Sequence, residues 1–328
     1  MKRNPTQQDI AEAAGVSRGL VSLALSGAPH VAEETRERIL RTARELGYTR
    51  NLGAASLAAN RSQLIGVILP NLRNPFFEGV VDAIQKRAEE RGFMALFAAT
   101  SNDPAREESI MQRFRELRAS GIVAVSTVRD RQNLREMAEL VPLVLVGAPP
   151  MGGSIDAVHV DERAAADLVV SHALERDWRK IVHISDDAGA GRVWVERRRD
   201  ALIDAAREAG LPFTLIDAGE DLMQIARMEK DLWKVGRVAI VAHNDLLGSD
   251  AIAAVRAAGT DPGVDVGVIG YDDTYLSRRP EYDMTSVRQD PDAFAVRTLE
   301  ALDSRGGDLS MPGREWRLEP TLSVRSST

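Results

Sequence analysis

From residue 62 onward the sequence repeats one physical theme, in which short apolar runs alternate with amphipathic segments of ten to twenty residues. The runs fall at 64–69, 93–98, 122–126, 143–146, 158–160, 181–185, 213–216, 238–242 and 266–270, with helical patterns such as 76–91, 162–175 and 246–258 between them. Strands that are apolar on both faces and separated by helices belong in parallel sheets covered on both sides. Nine strands are more than one doubly wound sheet holds comfortably, so the spacing predicts two α/β subdomains with a cleft between them. At 328 residues the chain has room for two or three cores.

The sequence contains no cysteine, which excludes disulfides, thiolate metal sites and cysteine nucleophiles together. The N-terminus carries no apolar signal-peptide core, and no apolar run reaches the roughly 20 residues that cross a bilayer, so we expect a soluble cytoplasmic protein with no membrane contact. The net charge of −7 argues at first against a nucleic-acid partner, because DNA binding requires phosphate neutralisation. Located along the chain, it says something else. Residues 1–61 hold nine Lys/Arg against six Asp/Glu, a net of +3, which leaves −10 for the other 267 residues. A small basic domain stands in front of a large acidic one.

The basic segment reads as three short helices. Thr6 can cap the first, which ends at Gly15, and Ser17 can cap a second running towards Ser26-Gly27. A third, from about Ala32 to Leu46, presents Ile39, Ala43 and Leu46 inward. Only Gly15-Val16-Ser17 separates the first two helices, the spacing of a helix-turn-helix whose second helix enters a major groove. The first residues of that helix include Arg18, Gly19, Ser22 and Leu23, and Arg18 can pair bidentately with guanine. Residues 51–59 are small, nearly uncharged and too short for an independent helix, so they read as a hinge.

The run from Thr6 to Gly27, followed by Val31-Ala-Glu-Glu-Thr-Arg-Glu-Arg-Ile-Leu, Glu45-Leu-Gly-Tyr and Asn51, resembles the N-terminal motif of the lactose-repressor/galactose-repressor (LacI/GalR) family of bacterial transcription factors. The likeness continues in order through Ile65-Gly-Val-Ile-Leu-Pro, Asn74-Pro-Phe-Phe, Asn244-Asp245, Val268-Ile-Gly-Tyr-Asp-Asp, Thr285-Ser-Val-Arg-Gln and Leu322-Ser-Val-Arg. It implies a helix-turn-helix domain over 1–50, a hinge over 51–61 and a core over 62–328 of periplasmic-binding-protein type. Within that core, one subdomain would take 62–157 plus 290–316, and the other 158–289 plus 317–328. By resemblance, DNA contacts fall on Thr6, Ser17, Arg18, Gly19, Ser22, Leu23, His30, Tyr48, Asn51, Ala54 and Leu57, with Leu57 wedged into the minor groove. Effector contacts fall on Asn74, Phe76, Arg198, Asn244, Asp272 and Gln289, with Phe76 packed on the ligand face and Arg198 opposed to a carboxylate.

Departures from the family pattern narrow what carries over. Ala32 stands where many relatives place a serine cap, so the third helix is expected to begin loosely. Gly147 stands where some sugar-binding relatives place an acid, and Gly53 weakens the hinge helix off DNA. Gly15-Val-Ser-Arg-Gly19 matches the G-x-S-x-G nucleophile pattern, but a helix precedes it where that motif needs a strand. The five histidines show no metal-ligand spacing, and Gly189-Ala-Gly191 lacks the third glycine of a dinucleotide loop. The sequence therefore predicts no enzyme, no cofactor and no metal. It predicts a homodimeric repressor on a pseudo-palindromic double-stranded operator, controlled by a sugar or nucleoside-like effector. The alternative is a solute-binding protein of the sugar-transport type.

Overall fold

The computed structural model describes residues 5–49, 62–185, 193–217, 237–264, 266–305 and 308–328, and the chain divides into two compact units, Met1–Ser62 and Gln63–Thr328. In the first unit, α1 (Gln7–Ala14), α2 (Arg18–Leu25) and α3 (Glu33–Glu45) enclose a core that includes Ile10, Val21, Ala24, Val31 and Ile39. Thr6 and Asp9 cap α1 reciprocally: Asp9 N donates to Thr6 Oγ1 at 3.3 Å, and Thr6 N donates to Asp9 Oδ2 at 2.6 Å. Gly15 ends α1 in the left-handed region at φ +64, which glycine adopts without strain. Ser17 Oγ accepts from Leu20 N at 3.2 Å and so starts α2.

Ala32 precedes α3 with no side-chain cap, which leaves the N-terminal amides of that helix without the hydroxyl a serine would supply. Leu46, expected inward, is 40% exposed: the helix ends at Glu45, and Leu46 lies beyond the last inward-facing turn. Tyr48 packs against the core in its place.

The second unit holds two lobes. The first sheet contains β1 (Leu64–Leu69), β2 (Met94–Ala99), β3 (Gly121–Val125), β4 (Leu143–Val146), β5 (Asp156–Val160) and β11 (Glu315–Leu318), in the order β11-β5-β4-β3-β1-β2. The second contains β6 (Lys180–Ser185), β7 (Phe213–Asp217), β8 (Val238–Ala242), β9 (Val266–Asp272), β10 (Thr285–Arg288) and β12 (Thr321–Ser323), in the order β12-β10-β9-β8-β6-β7. All pairings are parallel except β10 with β12, so one edge departs from the expected all-parallel arrangement. The strands β10, β11 and β12 were not expected; each has at most four residues, too few to declare a hydrophobic period.

Helices cover both faces of each sheet. On the first, α4 (Pro75–Glu90) and α10 (Pro291–Ser304) share a cluster with Val67, Val80, Ile84 and Phe294, while α5 (Pro104–Glu116) and α6 (Arg131–Ala138) bury Met111, Phe114 and Leu134 opposite. Gly66 lets Phe114 lie against β1, since a Cβ there would stand 2.4 Å from the ring. On the second sheet, α7 (Glu162–Glu175) and α8 (Val193–Glu208) cover one face and α9 (Asp245–Ala257) the other. No helix among the described residues is long and apolar enough to cross a membrane.

The chain passes between lobes after β5, between β10 and α10, and between β11 and β12. Two of these passages fall later than the boundaries at 157 and 316 that the sequence suggested. β5 and β11 pair with each other through Val160 and Leu318 within the first sheet, so the apolar ends of both strands stay with that core. A buried ion pair secures this edge: Arg305 donates to both oxygens of Asp156 at 2.5 and 2.9 Å, and Arg314 N adds a third bond to Asp156 at 2.8 Å.

Two stability outcomes follow. Arg305→Ala strips Asp156, which is 0% exposed, of its bidentate partner and leaves it only the Arg314 amide and the Arg314 guanidinium at 3.8 Å, and chemical denaturation should register a loss of about 3 kcal/mol, the lower end of the range for breaking a buried pair. Ala32→Ser should add about 1 kcal/mol to the stability of the first unit by capping α3, read as a higher melting temperature for its helical signal.

Candidate functional site

In each lobe the central strands run in the doubly wound order 2-1-3-4-5, so the connections reverse direction between β1 and β3 and again between β6 and β8. Crevices open at the carboxyl ends of strands at such points. A cleft of about 940 Å³, open mouth included, lies there between the lobes. The first lobe contributes Asn71, Asn74 and Phe76 after β1, Ser126 after β3 and Gly147 after β4; the second contributes Trp194 and Arg198 from α8, His243 and Asn244 after β8, and Asp272 at the end of β9. Glu162 and Gln289 line it from the two passages that flank β5 and β10.

A hydrogen bond spans the cleft. Asn74 caps α4, its Oδ1 accepting from Phe76 N at 3.0 Å, and this fixes Nδ2 to donate to Asp272 Oδ2 at 2.9 Å from the opposite lobe. Gln289 Nε2 donates to the other oxygen, Oδ1, at 2.5 Å. Asp272 sits at φ +103 and Asp273 at φ +52, a costly backbone for residues with a Cβ, held by the surrounding bonds. Burial pushes the Asp272 carboxyl up to about 7; the nearby Arg198 guanidinium and the two amides oppose the shift, and the Asp245 carboxylate adds to it. Asp245 is itself pushed up to about 6 by burial, although Ser286 Oγ and the Thr274 N–H and hydroxyl all donate to it at 2.6–2.8 Å.

Arg198 differs from expectation in its partner. Its Nε and Nη2 donate to Glu162 at 3.1–3.3 Å, its Nη1 donates to the His243 carbonyl at 2.7 Å, and its guanidinium stacks 3.4 Å above the Tyr271 ring. The Tyr271 hydroxyl closes the triangle by donating to Glu162 Oε2 at 2.8 Å. Burial works against the Arg198 charge, but the Glu162 carboxylate together with Tyr271 and Asp272 outweighs it and keeps the guanidinium protonated. Asp272 takes its hydrogen bonds from the two amides, and the carboxylate opposed to Arg198 is Glu162. Sequence reasoning missed both Glu162 and Tyr271. Glu162 lies two residues beyond a strand end, the position where cleft residues concentrate, and that was its one available signal.

The remaining expected residues are also placed. Asn244 caps α9, its Oδ1 accepting from Leu247 N at 2.9 Å, and it faces the cleft with Gln289. Phe76 lines the cleft but is only 7% exposed, its ring edge-on to Phe294 at 5.9 Å, so most of its surface is already covered. Gly147, at φ +73, brings no side chain, and a Cβ there would stand 3.3 Å from Ser126 Oγ. His159, another cleft residue the sequence did not flag, holds Glu315 at 2.8 Å. Among the described residues, no group of three His, Asp or Glu could hold a metal ion.

In the first unit Thr6, Ser17, Arg18, Gly19, Ser22, Leu23 and His30 are exposed and Tyr48 is half-buried. Asn51, Ala54 and Leu57 lie outside the described residues, as does Gly53 in the hinge. The Gly15–Gly19 segment is the turn from α1 into α2, with no strand before it.

A three-helix unit with an exposed second helix, followed by a two-lobed α/β unit with a polar cleft, defines a ligand-sensing, DNA-binding class of protein. Residues 6–51 match the family described as bacterial regulatory proteins, lacI family, and residues 170–328 match a periplasmic binding protein-like domain. The transcriptional regulator DegA of Bacillus subtilis (strain 168) is 27% identical, with 98% of each chain covered, and the transcriptional regulator CelR of Thermobifida fusca is 29% identical, with 99% of each covered. Among solved structures, the lac repressor dimer bound to operator and the anti-inducer ONPF aligns with a TM-score of 0.83 at 22% identity over 99% of both chains. A CelR–cellobiose complex aligns at 0.70 and 26% identity over 99% of this chain and 100% of that one. The chain thus carries a helix-turn-helix domain of the lacI family of bacterial regulatory proteins and a periplasmic binding protein-like domain, and the relatives named above are transcription regulators.

The buried acid pair sets a pH dependence. Asp272 and Asp245 have folded-state values raised above the ordinary 3.8, so the folded chain retains protons that the unfolded chain releases. Their burial is tolerated at low pH and becomes a cost as pH rises from about 4 to about 7. Denaturation curves across that window should show a smaller loss of stability in Asp272→Asn than in the parent.

Proposed function

We propose that this chain is a repressor whose operator affinity is set by a small polar metabolite bound between the two lobes. The observation that carries this reading is the Asn74–Asp272 hydrogen bond, which joins the carboxyl ends of two independent sheets across a polar cleft. A ligand entering there meets both lobes at once and so changes their separation. Asn71, Asn74, Asn244, Gln289 and Ser126 supply amide and hydroxyl groups that both donate and accept, a set suited to a hydroxyl-rich ring such as a sugar or nucleoside. Arg198 adds a donor whose charge Glu162 already balances.

The relatives named above support the regulatory reading, and one of the aligned structures carries cellobiose on CelR and another an anti-inducer on the lac repressor. On this reading the chain acts in the cytoplasm as a homodimer and performs no catalysis. The dimer would place two α2 helices on a pseudo-palindromic operator. Thr6, Ser17, Ser22, His30 and Tyr48 then contact or support contacts to the backbone, Arg18 reads bases, and Leu57 with Ala54 and Asn51 engages the minor groove. Residues 51–61 would link lobe closure to the DNA. Coupling of about 1–3 kcal/mol changes operator affinity roughly 5- to 150-fold.

Thermal-shift screening against sugars, polyols and nucleosides tests the cleft, because a ligand at about 100 times its Kd adds about 2.7 kcal/mol to stability. The hit should shift operator affinity in a fluorescence-anisotropy titration. Asn244→Ala should weaken that ligand by about tenfold, the worth of one to two hydrogen bonds, while operator binding without ligand stays as in the parent. Full ligand affinity in Asn244→Ala, together with full affinity in Asp272→Asn, would place the effector elsewhere.

A further inference from the structure

The outward face of α2 carries Arg18, Gly19, Ser22 and Leu23, all exposed, while Val21 and Ala24 turn into the three-helix core and Leu20 and Leu25 pack against it. Two residues on that outward face are unexplained by the unit itself. Leu23 is 48% exposed and is the one apolar side chain on a face whose neighbours are an arginine and a serine. Gly19 lies inside the helix with no positive φ, and a Cβ built on it meets nothing closer than Ser17 Oγ at 4.0 Å. Internal packing thus leaves room for alanine at 19, the second residue of α2, yet the helix carries glycine, the poorer helix former.

Gly19 and Leu23 are four residues apart and so lie one above the other on the same side of the helix. Removing the Cβ at 19 lowers the helix surface one turn before an exposed isobutyl group. A surface of that shape accepts close approach by a flat partner and offers it a single apolar contact. On the reading of this unit as a DNA-binding domain, on which the inference rests, the partner is a major groove. The apolar group on base edges there is the C5-methyl of thymine.

We propose that Gly19 and Leu23 together read a thymine methyl in each operator half-site, Gly19 by permitting close approach of α2 and Leu23 by covering the methyl. The five-residue step from Arg18 to Leu23 spans about 7.5 Å of helix axis. With α2 lying along the groove, that sets the thymine about two base pairs from the guanine that Arg18 contacts, at about 3.4 Å per pair.

The test uses the full-length protein. Binding-site selection from a randomised duplex first defines the half-site, and each thymine in it is then replaced in turn by deoxyuridine, which removes the methyl and nothing else. One thymine per half-site should show about fourfold weaker binding on replacement, the worth of one buried methyl. In Leu23→Ala the thymine and uracil duplexes should bind alike at that position, while Arg18→Ala loses guanine preference and keeps the methyl effect. Gly19→Ala should move two readouts in opposite directions, raising the melting temperature of the helical unit while weakening operator binding. The inference is overturned if no thymine responds to uracil, if Leu23→Ala still distinguishes the two, or if Gly19→Ala binds operator as well as the parent. A selection that enriches no sequence at any salt concentration overturns the DNA-binding reading itself, an outcome separate from the other three.

Discussion

The core is governed by the requirement that parallel strands be buried on both faces. In β1, β3, β4, β8 and β9 nearly every side chain is enclosed by helices. A polar group in the middle of such a strand would have no water and few partners, so ligand-binding chemistry is displaced to the strand ends. Asn74, Ser126, Gly147, Asn244 and Asp272 all occur within a few residues of a carboxyl end, and the cleft is where two sets of such ends meet. Helix N-termini start from the same places, which is why Asn74 and Asn244 are both helix caps and cleft residues. Each uses its side-chain oxygen to hold a backbone amide, so its amide nitrogen is held in a defined direction.

Much of this was legible in the amino-acid order. Long strands buried on both faces declare themselves as continuous apolar runs, and Leu64–Leu69, Leu143–Val146 and Val238–Ala242 have the limits that their composition suggests. The caps at Thr6 and Ser17 were equally readable, because a capping hydroxyl acts within three residues of itself. Features that depend on distant partners were not. Glu315–Leu318 has meaning only beside β5, and its alternating Glu315, Trp316, Arg317 and Leu318 gives no sign of a partner more than 150 residues away. Leu46 satisfies the helical period but lies past the end of its helix, and sequence periodicity cannot report where a helix stops packing.

The same division applies within the cleft. Asn74, Asn244, Asp272 and Gln289, expected through the family resemblance, each sit in a short local run of sequence, and the structure brings them to one cavity. The partner of Arg198 was not found. An arginine in a sequence announces its charge but not the carboxylate that will balance it, and Glu162 lies 36 residues earlier in the chain. Balancing changes what the arginine offers. With Glu162 accepting from two of its nitrogens and Tyr271 covering one face, Arg198 works as an oriented donor within a neutral pair instead of an isolated cation.

The three passages of the chain between lobes have a mechanical consequence. The last of them, from β11 to β12, consists of Glu319 and Pro320 alone, and proline fixes its own backbone torsion. Two bodies tied by three covalent links, one of them this short, cannot slide or separate freely; what is left is a narrow family of rocking motions about the links. Every occupant of the cleft acts on that same family, whatever groups it presents. The tethers define the path of movement, and the polar side chains decide only how far along it the lobes rest.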